Sequence, residues 1–385
     1  MPNRVFFQVR SSHDAHRRGQ LSMLVRALGL SSAAENQFRH LGVGSALKRA
    51  AKSAQVQSSF DQAMRKAALL YNPDSGGSRK RRDAELESVL ALLRAANVEA
   101  QLVFTDSRAH AKEKARQAVL AGFDTIFACG GDGTIHNVIQ VLANTGANLA
   151  ILPIGTANAL AHDLNPPMNI AAAARAALHA TPRRVALGRI QCLDLEGQPR
   201  VRFFIVAAGA GVDAHLFYKL HAGTKQRMGM AAYYAKAWHL WFTHPMTRFQ
   251  VEFAEAGSGE PRRADVTELM AVRIRNFGGV LQELAPGASL DRNDLRLVFC
   301  STASRLAYLL YVTRGLLRRN WKIPGIDLAC SERVSCHYLL APASSRDTPV
   351  AAPKVYVEAD GELVGTLPAE ITIVPDALTL LAPSR

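Results

Sequence analysis

The chain has 385 residues, of which 48% are hydrophobic and 20% charged, so it can bury two sizeable cores and is not disordered throughout. Its net charge of +14 indicates a polyanionic partner (nucleic acid, nucleotide phosphates or an anionic membrane), unless it only reflects a basic proteome. Five cysteines without a C-x-x-C pair argue against a disulfide framework or a zinc site. The sequence has no spanning-length apolar run and no signal-peptide core, so we expect a cytoplasmic protein.

Residues 1–63 form a basic, serine-rich and acid-poor segment. Three interpretations are open: a transit peptide, an arm that lies on a membrane surface, or an unstructured leader preceding Met64. We treat it as an extension outside the folded domains.

Strand and helix patterns alternate from residue 64 to residue 186. Apolar runs predict strands at 67–71, 98–104, 124–129 and 149–153, and helical spacings separate them at 79–96, 109–121 and 134–143. This alternation predicts an α/β domain with a doubly wound parallel sheet.

The character of the chain changes in residues 187–385. Short β-rich runs occur at 201–207, 266–274, 295–300, 334–340, 354–358 and 371–374. Helical patterns remain at 231–242 and 306–317. We expect a second domain, mostly an antiparallel β-sandwich, whose final segment packs back on the first domain.

Three glycine-containing loops follow predicted strands and precede predicted helices, at residues 72–77, 130–134 and 155–158. Glycine lets backbone N–H groups converge on a phosphate, and a helix N-terminus adds partial positive charge. Asp132 lies within the second loop and either faces Mg²⁺ or an acceptor hydroxyl, or caps the following helix. The chain has neither G-x-x-x-x-G-K-[ST] nor G-x-G-x-x-G, so P-loop and dinucleotide dehydrogenase functions are excluded.

The Gly-Gly-Asp-Gly-Thr sequence at 130–134 resembles the signature shared by diacylglycerol kinases, sphingosine kinases, NAD kinases and phosphofructokinases. Further matches are similar to the diacylglycerol and sphingosine kinase branch: Asn72-Pro73-x-Ser75-Gly76, Thr105, residues 153–161, residues 209–213, Gly229 with Tyr233-Tyr234, Gly278-Gly279, residues 284–288, and Asp360-Gly361-Glu362 with Pro368. They occur in the family's order between residues 67 and 383. The chain thus resembles a lipid kinase with a NAD kinase-like first domain.

The resemblance implies a set of site residues. Glu362 corresponds to the general base that takes the proton from a lipid hydroxyl as it attacks the γ-phosphoryl group, and Asp132 is a second catalytic candidate. ATP is the implied cosubstrate, with Mg²⁺ arriving on the nucleotide. The implied nucleotide contacts are Asn72, Pro73, Asp74, Ser75, Gly76, Thr105, Gly130, Gly131, Asp132, Gly133, Thr134, Ile135, His136 and Thr156.

Five positions depart from the family pattern. His136 and Asn137 stand where Asn and Glu are common, Ala159 replaces an aspartate, and a second family aspartate falls at Ala186. Arg292 replaces an acidic ligand of a structural Mg²⁺ turn, so we expect no structural metal there.

The acceptor side of the site should be apolar and close to a membrane. The helical segment at 306–317 is rich in leucine and tyrosine and is followed by Arg318, Arg319 and Lys322, which suits an anionic bilayer, although core packing is the alternative. We therefore expect peripheral membrane association with a lipid substrate and no nucleic acid; monomer and homodimer are both open. Two other functions remain: a NAD kinase-like enzyme acting on a soluble substrate, and a lipid-binding protein without catalysis.

Overall fold

The computed structural model describes residues 64–73, 79–155, 157–215, 239, 241–255, 260–278, 283–317, 321–339 and 354–383. The basic extension 1–63 and most of the predicted helix at 231–242 lie outside these residues. Among the described helices, none is long and apolar enough to cross a bilayer.

The first part of the described chain is a parallel sheet flanked by helices. Its strands are β1 (Lys66–Tyr71), β2 (Glu99–Phe104), β3 (Thr125–Gly130) and β4 (Asn148–Pro153), in the order β4-β3-β1-β2. Its helices are α1 (Arg79–Ala95), α2 (Arg108–Leu120), α3 (Asp132–Leu142), α4 (Ala159–Leu164) and α5 (Ile170–Leu178).

The two faces of this sheet bury separate apolar clusters. Because side chains alternate along a strand, Leu69 of β1 packs in the cluster that holds α1 and α5 residues, whereas its neighbour Leu70 packs in the cluster that holds α2 and α3 residues. Both faces of a parallel sheet must be covered, which explains the continuous apolar run of β1. The predicted doubly wound parallel domain is confirmed.

The remaining strands are almost all antiparallel. They are β5 (Arg183–Leu193), β6 (Pro199–Phe204), β7 (Ala207–Gly211), β8 (Phe249–Ala254), β9 (Pro261–Val266), β10 (Glu268–Val272), β11 (Leu295–Cys300), β12 (Ile326–Ser331), β13 (Arg333–Tyr338), β14 (Tyr356–Ala359) and β15 (Glu362–Leu381), with helix α6 (Arg305–Leu316) after β11. Strands β12-β11-β10-β7-β14 form one branch of the sheet, and β5, β6, β13, β8 and β9 form others that meet at β15.

Strands from different branches share one core, as in a sandwich. Phe253 of β8 stacks on Phe299 of β11 with ring centroids 4.9 Å apart, although the two strands do not pair. The predicted antiparallel β-rich part is therefore confirmed.

Strand β15 differs most from the prediction, since only residues 371–374 were expected to be extended. Pro368 and the Pro375-Asp376 pair resemble strand breakers, but register shifts near both places keep the strand continuous. Its first residues pair with β14, and Thr379, Leu380 and Leu381 pair in parallel with β4. One strand thus reaches from the β-rich part to the edge of the parallel sheet. The predicted domain boundary after residue 186 lies inside β5.

Candidate nucleotide and phosphotransfer site

The register of the parallel strands brings the three loops to one edge of the sheet. Tyr71 pairs with Cys129, and Cys129 pairs with Leu152, so β1, β3 and β4 end at nearly the same level. The loops after them therefore begin side by side at the carboxyl ends of the strands, where open α/β sheets bind ligands.

The second and third loops touch through glycine. A Cβ added to Gly155 would lie 2.8 Å from the backbone nitrogen of Gly131, so only glycine permits this approach. Asn158 holds the third loop, because its Nδ2 donates to the carbonyl of Gly155 at 2.7 Å. The Asn158 side chain is buried, and its Oδ1 has no hydrogen-bond partner among the described residues. A buried acceptor without a donor beside two glycine loops is suited to a ligand.

Asp132 bridges these loops rather than capping its own helix. The N-cap of α3 is Gly131, and the Asp132 carboxylate accepts a long hydrogen bond from the backbone N–H of Leu160, at the start of α4, at 3.4 Å. Burial raises the pKa of Asp132, the amides of Ala159 and Leu160 oppose that rise, and the nearby Asp360 charge adds to it.

A two-residue hairpin turn lies across from these loops. Asp360 and Gly361, with φ of 51° and 77°, connect β14 to β15, and both angles fit a type I′ turn. The Asp360 carboxylate is buried and accepts hydrogen bonds from the backbone N–H groups of Ile205, Val206 and Ala207 at 2.8 to 3.2 Å. These bonds explain why the predicted strand at 201–207 breaks into β6 and β7 at residues 205–206.

Two polar side chains of helix α3 form hydrogen bonds or close polar contacts with the β-rich part. His136 Nδ1 lies 3.2 Å from Asp360 Oδ2, and both side chains are almost fully buried. One turn later, Gln140 donates to the Phe203 carbonyl at 2.8 Å and accepts from its N–H at 2.9 Å. These contacts fix the helix that carries the Gly-Gly-Asp-Gly-Thr loop relative to the hairpin. Sequence reasoning missed these contacts; the one available signal was the polarity of His136 and Gln140 beside the apolar residues of the helix.

Glu362 follows the turn and reaches the loop. Its Oε1 lies 3.2 Å from the position that a Cβ on Gly133 would take, so the carboxylate lies against the first turn of α3. The structure therefore brings Glu362 to the Gly133 turn, next to Asp132 and the two touching glycine loops.

The other predicted contacts occupy varied positions. Asn72 and Pro73 follow β1 and are half-buried, and Thr105 is buried with its N–H bonded to the Tyr71 carbonyl at 2.8 Å. Ile135 packs in the core, and the His136 ring is engaged by Asp360, so contact of either residue with a nucleotide would come through its backbone. Asp74, Ser75, Gly76 and Thr156 lie outside the described residues.

The turn at residues 290–294 is organised by an arginine. The buried Arg273 guanidinium donates to the carbonyls of Arg292 at 2.8 Å and Asp294 at 2.6 Å, and also to the Ala186 carbonyl at 3.2 Å. Burial lowers the pKa of Arg273 to about 10. Arg292 itself pairs with the Asp294 carboxylate. Cationic side chains thus engage the oxygens of this turn.

Solved structures with a similar fold are known. A solved diacylglycerol kinase structure from Bacillus anthracis (strain Sterne) superposes with a TM-score of 0.58 at 17% identity, covering 83% of this chain and 97% of its own. A second solved structure from that strain gives a TM-score of 0.63 at 20% identity. These likenesses establish the fold.

Sequence comparison shows which proteins this chain resembles. The model of the diacylglycerol kinase catalytic domain matches residues 66–190. The diacylglycerol kinase of Bacillus subtilis (strain 168) is 27% identical over 310 residues, covering 80% of this chain and 93% of that protein. That of Staphylococcus saprophyticus is 24% identical over 323 residues, covering 83% and 96%. Residues 66–190 therefore resemble a diacylglycerol kinase catalytic domain, and the comparisons support a lipid kinase, an activity that implies the use of ATP.

Proposed function

We propose that this protein transfers the γ-phosphoryl group of ATP to the hydroxyl of a membrane lipid, either diacylglycerol or a sphingoid-type acceptor. The observation that carries the proposal is the position of the Glu362 carboxylate beside Gly133, in a glycine loop suited to binding phosphates. The sequence resemblance assigns the general base to the same residue.

The loop residues suit MgATP. The N-terminus of α3 is surrounded by the backbone of residues 131–133 and 155, whose N–H groups can bind phosphate. Asn158 Oδ1 lacks a hydrogen-bond donor among the described residues. Within the described chain, no group of three or more His, Cys, Asp or Glu side chains is placed to hold a metal. Mg²⁺ carried by the phosphates would need only one or two protein oxygens, for which Asp132 and Asn158 are candidates. Bound there, MgATP would supply the phosphoryl group, and Mg²⁺ would neutralise its charge.

The residues of the hairpin turn would perform the proton transfer. Glu362 would accept the proton from the lipid hydroxyl while that oxygen forms its bond to phosphorus, and ADP would leave with the electron pair of the broken bond. Asp360 and His136 would hold the turn against α3, so that the carboxylate stays within reach of the loop.

A transfer assay with a panel of acceptors tests the function. With γ-labelled ATP, we expect the label in the organic extract when dioleoylglycerol or sphingosine is present in mixed micelles. Label transferred only to NAD would favour the soluble-substrate alternative. If no acceptor is labelled, the proposal is wrong, and the alternative of a lipid-binding protein without catalysis remains.

We also propose that the exposed side of α6 docks the enzyme on an anionic membrane. Ala307, Tyr311 and Gly315 of this helix face the protein, whereas Leu306, Leu309, Leu310, Leu316 and Leu317 are 41 to 64% exposed. A helix that is apolar on all sides is normally covered on all sides. Trp321 and Lys322 are exposed just beyond it, and the sequence adds Arg318 and Arg319, which lie outside the described residues. The apolar face suits the acyl-chain boundary of a bilayer, and the cationic residues that follow it suit anionic headgroups.

Serine at Leu306, Leu309 and Leu310 together is expected to lower partitioning onto phosphatidylglycerol vesicles about 10- to 100-fold, since each leucine contributes about 1 kcal/mol of apolar transfer. Co-sedimentation measures this partitioning. Leu120→Ser is the control, because that leucine of α2 is 77% exposed but lies outside α6. Unchanged sedimentation of the triple variant would show that α6 does not dock.

A further inference from the structure

Three carboxyl side chains are buried behind the hairpin turn, around strand β7. Glu358 of β14 pairs with Gly209 of β7, and Glu268 of β10 pairs with Gly211. The two glycines are two residues apart and therefore face the same side of the sheet. A Cβ on Gly209 would lie 2.5 Å from Oδ2 of Asp213, and one on Gly211 would lie 2.9 Å from Glu268 Oε2. Because Gly209 and Gly211 have no side chains, β7 leaves space for the carboxyl groups.

No cation compensates this cluster within the described part of the chain. None of Asp213, Glu268 and Glu358 forms a salt bridge there. Burial raises the pKa of all three groups, and the charge of Asp213 raises the pKa of Glu358 and of Glu268 further. Buried carboxyl groups that lack cations remain stable by keeping protons.

Glu358 is the member of the cluster that touches the site. Its Oε2 accepts a hydrogen bond from the backbone N–H of Gly361 at 2.7 Å, and Gly361 stands between Asp360 and Glu362 in the turn. Glu358 is almost fully buried, so this bond is shielded from water. The orientation of the turn that carries Glu362 therefore depends on Glu358 from one side and on Asp360 from the other.

We propose that Glu358 is a positioning residue for Glu362 and that it acts in its uncharged form, by accepting the Gly361 N–H without adding a negative charge to the site. The proposal rests on the proposed function of Glu362. A charged Glu358 would lie beside the carboxyl groups of Asp360 and Glu362. Its negative charge would repel the carboxylate of Glu362 and so disfavour the ionised form, which is the form that accepts the proton. The titratable groups that face this region are Asp213, Glu268, Asp360, Glu362, His136 and Asp132.

Two substitutions separate the hydrogen bond from the charge. Glu358→Gln keeps an acceptor oxygen and is always neutral, so we expect kcat within about threefold of the parent near pH 7. Glu358→Met keeps the volume but removes the acceptor, so we expect kcat to fall about 10- to 100-fold with little change in the KM for ATP. At alkaline pH, the parent should lose activity as Glu358 ionises, and the glutamine variant should lack that loss. If glutamine reduces kcat as much as methionine, or if the two pH profiles coincide, the proposal is overturned.

A stability measurement decides the charge state without any activity. Because the folded-state pKa of Glu358 lies well above its ordinary value of 4.5, the unfolded chain releases this proton first as the pH rises. The contribution of Glu358 to the free energy of unfolding should therefore be fully present below pH 4.5 and decrease as the pH rises. The free energy of unfolding of the parent should thus fall more steeply towards alkaline pH than that of Glu358→Gln. Urea unfolding from pH 5 to 8.5 measures both slopes, and equal slopes would mean that Glu358 is not held neutral. This holds even if no lipid is phosphorylated, so failure of the proposed function and failure of this inference are told apart.

Discussion

Glu362→Gln is expected to reduce kcat about 10²- to 10⁴-fold while leaving the KM for ATP within about threefold, because the amide keeps the size of the side chain but cannot accept the hydroxyl proton. The carboxylate lies against the Gly133 turn, so the loss should fall on the chemical step rather than on nucleotide binding. Steady-state transfer to dioleoylglycerol, with ATP varied at saturating lipid, measures both parameters.

Glu370→Gln is the matched control. Glu370 lies eight positions further along β15 and pairs with Arg333 away from the glycine loops, so the same chemical change there should leave kcat unaltered. If Glu362→Gln retained the parent kcat, another group would have to serve as the base, and Asp132 would be the first to examine.

Asp360→Ala is expected to destabilise the folded protein by about 3 to 5 kcal/mol, as breaking a buried charged network does. The substitution removes the shared acceptor of the Ile205, Val206 and Ala207 N–H groups and the partner of His136. The turn and the β6–β7 connection would then lose the contact that joins them, and transfer activity should be lost as well.

Asp376→Ala separates this effect from backbone strain. Asp376 also has a positive φ, 48°, but its side chain is exposed, so both variants place alanine in the left-handed region at a similar cost. Urea unfolding gives the difference between them, and a difference below about 1 kcal/mol would show that the Asp360 carboxylate does not hold this region together.

The parts of the fold that follow from local pattern were predictable. Continuous apolar runs such as β1, which end at glycine-containing loops, predict buried parallel strands with ligand loops at their carboxyl ends, and the register confirms that arrangement. Glu362 was assigned by resemblance rather than by pattern, since an Asp-Gly pair alone indicates only a hairpin. Its position against Gly133 depends on pairing between residues more than 200 positions apart, which no local signal contains.

The features missed by sequence reasoning are long-range polar contacts and interrupted strands. The contact between His136 and Asp360 joins a helix to a turn far away in the chain, and neither residue has a neighbour in sequence that indicates it. Only residues 371–374 of β15 were predicted to be extended, whereas the register shifts beside its prolines accommodate the missing N–H groups and the strand runs from Glu362 to Leu381.

The long course of β15 also orders the events of folding. The strand that pairs with β4 at the edge of the parallel sheet is synthesised long after the glycine loops, and the same strand begins with Glu362. A nascent chain that has completed its glycine loops therefore still lacks both the edge of its sheet and its proposed base. The sheet edge and the proposed base are therefore completed together, by closure of contacts between distant parts of the chain, which is a slow kind of assembly.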